Sequence, residues 1–164
     1  MFAAEGGVVT AEMVPLDIAD DDQLVVFVPG RPVPKGSTKA FAIKANNRRG
    51  MRAVTTADNN ADQKAWGAYI RSRVLDVWGA RSPWVGPVRV TTTFVMPRRA
   101  SAPKRSTPPH TRKPDGDKLT RCVWDVLTHV VWVDDAQVVS WSGSKREAEI
   151  GETPGVLIRV ERLG

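Results

Sequence analysis

The chain has 164 residues, of which 41% are hydrophobic and 26% are charged, and these proportions are ordinary for one soluble globular domain. No apolar run approaches the roughly 18 residues that a membrane-spanning helix needs, and the first residues show no secretory signal. The single cysteine excludes an internal disulfide, and one cysteine with two histidines argues against a structural zinc site. We therefore expect an intracellular protein without membrane contact or small-molecule cofactor.

The net charge of +6 understates how basic most of the chain is. Residues 1–22 contain six acids and no base, which predicts a flexible acidic tail that ends in Asp20, Asp21 and Asp22. Removing those six acids leaves 24 bases against 12 acids in residues 23–164. An excess of this size indicates a polyanionic partner, most simply nucleic acid.

The first third of the chain predicts a strand and a basic hairpin. Residues 24–28 form a short apolar run that stops at Pro29-Gly30, which is typical of a buried strand. Residues 40–44 and 51–55 predict a β-hairpin with a long basic tip. Residues 23–57 hold seven bases and no acid, so this region is a candidate DNA-facing surface. Its candidate DNA contacts are Lys35, Arg48 and Arg49.

A helix and a strand follow. Residues 58–78 have helical spacing, and Asp58 or Asn59 can serve as the N-cap. We assign Trp66 and Trp78 to the core rather than to base stacking. Residues 88–96 alternate like a half-buried strand. The apolar stripe of the helix is expected along Ala61, Ala65, Ala68, Tyr69, Val74 and Val77.

Residues 97–114 form a long loop that contains six bases and no acid. A loop of this length is usually functional or disordered, and its place directly before an acidic cluster favours function. Two further strands are predicted, at residues 136–145 and 156–161. This order of elements predicts an α+β fold, with a small mixed sheet, two main helices and the basic hairpin. The candidate DNA contacts in this half are Arg98, Arg99, Lys104, Arg105, Arg112, Lys113 and Lys145.

The acidic cluster begins at the start of the second predicted helix. On that helix Asp117, Arg121 and Asp125 recur at intervals of four and therefore share one face, while apolar residues, among them Cys122, gather on the other. Asp115 lies two residues before Asp117, so the two carboxylates can converge on one point. The structural alternative is an ordinary amphipathic helix with intrahelical Asp–Arg pairs.

A second acidic pair, Asp134-Asp135, follows a connection short enough for the chain to turn back. Carboxylates repel DNA phosphates unless a divalent cation lies between them. Mg²⁺ prefers hard oxygen ligands and keeps several waters, so two or three aspartates meet its demand without histidine or cysteine. The pattern therefore predicts a magnesium-dependent endonuclease.

Three stretches of this region match a known family pattern, which reads Asp-x-Asp-Asn-Leu-x-Lys, then Asp-x-Leu, then a turn and Asp-Asp-x-Gln-Val. The chain has Asp115-Gly116-Asp117-Lys118-Leu119-Thr120-Arg121, then Asp125-Val126-Leu127, then Asp134-Asp135-Ala136-Gln137-Val138. It thus resembles the RusA-type Holliday-junction resolvases, which are common in phages and prophages. The segment from Pro29 to Gly36 also resembles the opening of many relatives, whereas residues 1–22 have no counterpart.

The resemblance implies that Asp115, Asp117 and Asp135 bind Mg²⁺, with Mn²⁺ as the alternative metal, and that residues 23–164 form a single nuclease domain. Asp125 matches a further acidic position that supports the site, and Asp134 and Lys118 are grouped with it. Two positions depart from the pattern, because Lys118 replaces the usual Asn and Arg121 replaces the usual catalytic Lys. Arginine keeps the positive charge but cannot readily give up a proton.

The resemblance also implies a branched-DNA substrate, cut by paired symmetric nicks in the cytoplasm of a bacterial host cell. A four-way junction is two-fold symmetric, so one site per chain implies a C2 homodimer. Two alternatives keep the same fold: a catalytically impaired protein that binds branched DNA, supported by Lys118 and Arg121, and a broader nuclease for flaps and other branched DNA. An RNA-binding protein would explain the charge but not the clustered aspartates.

Overall fold

The computed structural model of the chain describes residues 17–36, 38–44, 51–57 and 60–164. Its main element is a five-stranded sheet with the strand order β1-β2-β7-β5-β6, and a separate two-stranded sheet is made of β3 and β4. The expected α+β class is confirmed. In chain order the elements are β1 (Ile18–Ala19), β2 (Gln23–Pro29), β3 (Thr38–Lys44), β4 (Met51–Ala57), α1 (Asn60–Trp78), β5 (Val88–Met96), α2 (Gly116–Leu127), β6 (Val138–Glu147) and β7 (Gly155–Arg162).

The sheet is mixed because one connection crosses over through a helix. β7 pairs antiparallel with both β2 and β5, and β1 pairs antiparallel with β2. β5 and β6 are parallel, since the chain returns through the basic loop and α2 before it re-enters the sheet. β6 is therefore an edge strand, and α2 lies next to it in the chain and in space.

The core lies between one face of the sheet and the two helices. Alternate residues of β2, such as Leu24, Val26 and Val28, are fully buried, as the period of a strand requires. The predicted strand at residues 24–28 is thus confirmed as part of β2, and the strand at 88–96 coincides with β5. The aromatic assignments are also confirmed, because Trp66 and Trp78 are 6% and 1% exposed.

The predicted apolar stripe of α1 is wrong for four of its six members. Ala61, Ala65, Ala68 and Tyr69 are exposed, Val77 is half-buried, and only Val74 is fully buried. The buried row is Trp66, Ile70, Val74 and Trp78. Both rows have a spacing of about four, so periodicity alone does not choose between them. The large side chains prevail because burial of apolar area is worth ~25 cal/mol per Å².

Residues 17–22 belong to the folded structure, although the acidic pattern placed them in a flexible tail. β1 pairs with β2 through Ile18 and Ala19. The Asp17 carboxylate accepts hydrogen bonds from the Phe27 backbone N–H at 3.1 Å and from the Arg73 guanidinium at 2.8 Å. The acidic run is therefore part of a turn and a strand edge, and the tail prediction for residues 1–16 lies outside the described residues.

The predicted hairpin is confirmed in its strands. β3 and β4 pair antiparallel over seven residues each, from Thr38 opposite Ala57 to Lys44 opposite Met51. Its tip, with Arg48 and Arg49, lies outside the described residues, as do the candidate N-caps Asp58 and Asn59. Among the described residues no helix has the length and apolarity needed to cross a membrane.

Candidate active site

The N-terminus of α2 presents two carboxylates to solvent. Asp115 occupies the N-cap with extended backbone, and its carboxylate does not cap the helix. That carboxylate is 51% exposed and lies 3.5 Å from the Lys118 ammonium. Asp117 is in the first turn and is also exposed. Acidic side chains at the N-terminal end of a helix interact favourably with the helix dipole.

The helix divides into two stripes, as the sequence predicted. Leu119, Cys122, Val123 and Leu127 are buried against the sheet, while Asp117, Arg121 and Asp125 are exposed. The intrahelical Asp–Arg pairs of the ordinary-helix alternative do not form among the residues that the structure describes. Asp125 instead pairs with the ammonium of Lys35.

Asp117 and Arg121 open into a cavity of about 490 Å³ between α2 and β6. Within the described part of the chain, neither side chain forms an ion pair or a hydrogen bond, so both are available to a ligand. Gly143 lines the cavity where β6 passes the helix, and its lack of a side chain lets α2 approach the strand closely. A Cβ at that position would lie 3.3 Å from the hydroxyls of Thr120 and Thr92. The other lining residues are Phe94, Gly116, Trp124, Trp141, Ser144 and Lys145.

Lys145 anchors the loop that precedes α2. Its ammonium donates hydrogen bonds to the carbonyls of Arg112 at 2.7 Å and Pro114 at 2.8 Å. It thereby fixes the loop immediately before Asp115, which is a structural role beside the DNA contact that was predicted for it. Burial and the nearby Lys145 cation lower the pKa of His110, so this imidazole carries no charge at neutral pH.

Asp115 faces a second, larger cavity of about 780 Å³ on the other side of the helix start. This cavity is bounded by the segment from Pro29 to Gly36, by α1 and by Lys113 and Lys118. The backbone N–H of Lys35 donates to the carbonyl of Lys118 at 3.0 Å and joins that segment to α2. The two aspartates at the helix start therefore lie at one helix end but line different cavities.

The pair Asp134-Asp135 builds the turn that begins β6. The Asp134 carboxylate accepts from the Ala136 N–H at 2.7 Å and caps a short 3₁₀ helix, Asp135–Gln137. The Gln137 amide donates to the carbonyls of Trp84 and Gly86. The 3₁₀ helix delays the strand, which begins at Val138 and not at Ala136 as the pattern predicted. Asp134 and Gln137 of the Asp-Asp-x-Gln-Val pattern therefore stabilise the turn that leads into β6.

The Asp135 carboxylate lies at the opposite end of α2 from Asp115. Its Oδ1 accepts from the Trp132 indole at 2.9 Å and from the hydroxyl of Thr128, the C-cap of α2. Thirteen residues of helical rise separate the two caps, which amounts to about 20 Å. Among the described residues no three acidic, histidine or cysteine side chains lie close enough to hold a metal ion.

The expectation that one chain brings Asp115, Asp117 and Asp135 together is therefore corrected. The connection after the helix does turn back, but it does so at the C-terminal end of α2. A sequence indicates that a short connection reverses the chain, yet it does not say how far the helix has run before the reversal. The metal-binding assignment of each aspartate stays a prediction.

Two of the loop arginines stabilise the loop, and their predicted contact with DNA stays a prediction. The Arg98 guanidinium donates to the Thr107 hydroxyl and to the carbonyls of Pro103, Ser106 and Ala148, at 2.5–3.0 Å. Arg99 forms an ion pair of 2.9 Å with Glu147, which is 2% exposed. The other four predicted contacts of the loop are exposed and form no ion pair among the residues described: Lys104, Arg105, Arg112 and Lys113.

The cavity also contains residues that the sequence did not single out, chiefly the two tryptophans. Trp124 of α2 and Trp141 of β6 meet edge to face, with ring centroids 5.8 Å apart and an interplanar angle of 88°. Trp141 is 64% exposed. The available signal was the spacing of Trp124, which follows Arg121 by three residues and so lies on a neighbouring helix face.

The family assignment follows from the sequence as a whole. The family model described as Endodeoxyribonuclease RusA matches residues 29–161, which is well over half of the chain. The chain belongs to the RusA endodeoxyribonuclease family. The match covers both cavities, the basic loop and all the acidic residues of the candidate site. A comparison with curated proteins gives no match.

Proposed function

We propose that this RusA-family chain is a divalent-metal-dependent endonuclease that resolves four-way DNA junctions by paired symmetric nicks. The observation that carries the proposal is the unpaired Asp117–Arg121 couple, which opens into the cavity beside α2 in a member of an endodeoxyribonuclease family. A carboxylate and a guanidinium that do not satisfy each other are both free to act on a third group. A phosphodiester with a cation suits both of them, since the carboxylate attracts the cation and the guanidinium attracts the phosphate.

The exposed carboxylates fit a hard divalent cation. Asp115 and Asp117 offer oxygen ligands at a helix end that is open to water, which suits an ion that keeps several waters. Bound there, Mg²⁺ or Mn²⁺ would polarise the phosphate and lower the pKa of a coordinated water. The chain itself contributes Arg121, which can bind the phosphate and stabilise the charge that develops on it. Because arginine does not give up its proton at neutral pH, Arg121 acts through charge alone.

The position of Asp135 extends the proposal to a homodimer. About 20 Å separates Asp135 from Asp115 along α2, so the three aspartates cannot share a metal within one chain. Both recorded hydrogen bonds of Asp135 end on Oδ1. A two-fold partner can bring this carboxylate to the helix start of the other protomer, and two such sites would face the two opposed strands of a junction.

The exposed cations supply affinity for the DNA backbone. Lys104, Arg105, Arg112 and Lys113 lie on the loop that leads into the site, so phosphates near the cut are their natural contacts. The hairpin tip with Arg48 and Arg49 is proposed to hold the arms of the junction. Recognition would rest on phosphates and on the shape of the DNA, which predicts binding that weakens steeply with salt.

The test is cleavage of a labelled synthetic four-way junction with Mg²⁺, beside EDTA and a linear duplex of the same sequence. Paired nicks that require the metal and disappear in Asp117→Ala support the proposal. Junction binding by Asp117→Ala should be unchanged or tighter, because a repulsive carboxylate is removed. Asp76→Ala is the matched control, since Asp76 is 64% exposed on α1 and lines neither cavity.

A second candidate, a catalytically impaired protein that binds branched DNA, is favoured by Arg121 in place of the usual lysine. Tight binding of the junction without metal-dependent nicks would establish it. Equal cutting of junctions and linear duplex would instead contradict junction selectivity while leaving the endonuclease activity standing.

A further inference from the structure

Trp141 is exposed although its position in the sheet faces the core side. It lies opposite Val90 in the pairing of β5 with β6, and Val90 is 1% exposed whereas Trp141 is 64% exposed. The difference arises because β6 is the edge strand and α2 covers only part of it. A large aromatic ring is thus presented to solvent inside the cavity that holds Asp117 and Arg121.

The ring is held in a defined orientation. Trp124 contacts it edge to face at 5.8 Å, and Trp124 is anchored on α2, where it is half-buried. The next position on the same face of β6 is Gly143, where the hydroxyls of Thr120 and Thr92 approach the strand closely because the glycine has no side chain. The cavity therefore has an aromatic wall at Trp141, cationic groups at Arg121 and Lys145, and the Thr120 hydroxyl beside Gly143.

We propose that this cavity binds one unpaired nucleobase, stacked on Trp141, with its adjoining phosphate on Arg121. The inference rests on the proposed function and deepens it, because it names the part of the DNA that enters the site. A cavity of about 490 Å³ lies in the size range of small-ligand pockets. Exposed aromatic rings beside cations are how proteins hold single-stranded nucleic acid, since every base has a face that stacks.

The charge of the cavity favours a nucleotide over a second protein chain. Arg121 makes no ion pair among the described residues, and Lys145 adds a second positive charge at the rim. A protein partner would have to bring a carboxylate to Arg121 as well as an apolar group to Trp141. A nucleotide carries both parts in one unit, a flat base and an anionic phosphate.

The experiment uses the full chain and a four-way junction that carries 2-aminopurine at the crossover, in EDTA so that no cleavage occurs. Stacking on Trp141 should quench the fluorescence of 2-aminopurine, and the same label within a linear arm should not respond. Trp141→Ala should abolish the quenching and weaken junction binding by about tenfold, whereas Trp141→Phe should retain most of both. Ile150→Ala is the control, because Ile150 is 66% exposed and lies outside the cavity.

The outcomes separate this inference from the proposed function. Quenching that depends on Trp141 supports the inference even if the protein does not cut. Cleavage by the wild type with unchanged quenching and affinity in Trp141→Ala overturns the inference and leaves the nuclease proposal standing. A Trp141→Ala protein that loses its dimeric state in sedimentation also overturns it, since Trp141 would then be an interface residue. Failure of the wild type to bind any DNA overturns both.

Discussion

At the scale of single residues, Arg121 carries a permanent positive charge at a position where the resemblance expects a lysine. It is exposed, and it forms no ion pair with the residues described. If the position needs only charge, Arg121→Lys should cleave within a few fold of the wild type. If the position needs a group that can donate a proton, Arg121→Lys should cleave the junction much faster than the wild type. One substitution therefore distinguishes the two roles.

The neutral variant Arg121→Gln should lower single-turnover cleavage by about 10²–10³, which is the usual cost of removing one group that stabilises transition-state charge. Single-turnover rates with saturating protein measure the chemical step and exclude weaker binding as the cause. Arg105→Gln is the control, since Arg105 is also an exposed cation and lies outside both cavities. A rate for Arg121→Gln within twofold of the wild type would remove Arg121 from the proposed mechanism.

Cys122 differs from the exposed Arg121, because burial in the fold makes its thiol unreactive. Burial, with the nearby Asp125 carboxylate, raises the pKa of its thiol to about 11, although Lys35 acts in the other direction. A raised thiol pKa means that the neutral form persists up to that pH, so little thiolate exists at pH 8. The native protein should therefore not react with a disulfide reagent at pH 8, and one thiol should react once guanidinium unfolds it.

At the scale of elements, Arg98 and Arg105 lie in one loop and have different roles. Arg98 makes four hydrogen bonds within the loop and to Ala148, whereas Arg105 is exposed and unpaired among the described residues. Arg98→Ala should cost about 2 kcal/mol of stability, because carbonyls that accepted from a charged donor lose it. The midpoint of thermal unfolding should fall by about 4–8 °C.

Arg105→Ala should leave that midpoint within about 1 °C of the wild type, since exposed unpaired side chains contribute little to stability. It should instead lower the slope of log affinity for junction DNA against log salt by about 0.9, the value for one lost phosphate contact. An Arg98→Ala protein that is as stable as the wild type would contradict the inference that the hydrogen bonds of Arg98 stabilise this loop.

The elements themselves could be predicted from the sequence wherever a period was strong. The alternation of β2 and β5 and the two stripes of α2 follow directly from residues such as Val26 and Leu119. In α1 two rows share the same period, and period alone does not show that the row with Trp66 and Ile70 is buried and the alanine row exposed. Period locates an element, but the size of the side chains decides which face is buried.

The residues of the candidate site could be predicted from the sequence, but their arrangement in space could not. Asp117 and Arg121 do share an exposed helix face, as their spacing required. The path of the chain after α2 placed Asp135 beside Thr128, far from Asp115, and no local pattern encodes that distance. The exposure of Trp141 is not predictable from the sequence for the same reason, since it depends on β6 being an edge strand and not on the neighbours of Trp141 in sequence.

At the scale of the whole molecule, the fold separates the acidic groups along α2, and Lys113 lies beside Asp115 at the start of the helix. One chain thus presents Asp115 and Asp117 at one end of the helix and Asp135 at the other, about 20 Å away. If catalysis needs all three, each site must combine the helix start of one protomer with the helix end of its partner.

Neither Asp117→Ala nor Asp135→Ala alone should cut a junction, but a mixture of the two should. In a mixed dimer one site combines both defects, while the other combines an intact Asp117 with an intact Asp135 and is complete. The mixture should therefore regain single nicks in one strand, without the paired nicks of the wild type. Sites confined to one chain would leave every mixed dimer inactive, so absence of nicks after subunit exchange, verified with differently tagged protomers, would contradict the shared site. Asp76→Ala mixed with Asp117→Ala is the control: Asp76→Ala should be active by itself, because Asp76 lies outside both cavities, and each of its mixed dimers with Asp117→Ala should have one complete site.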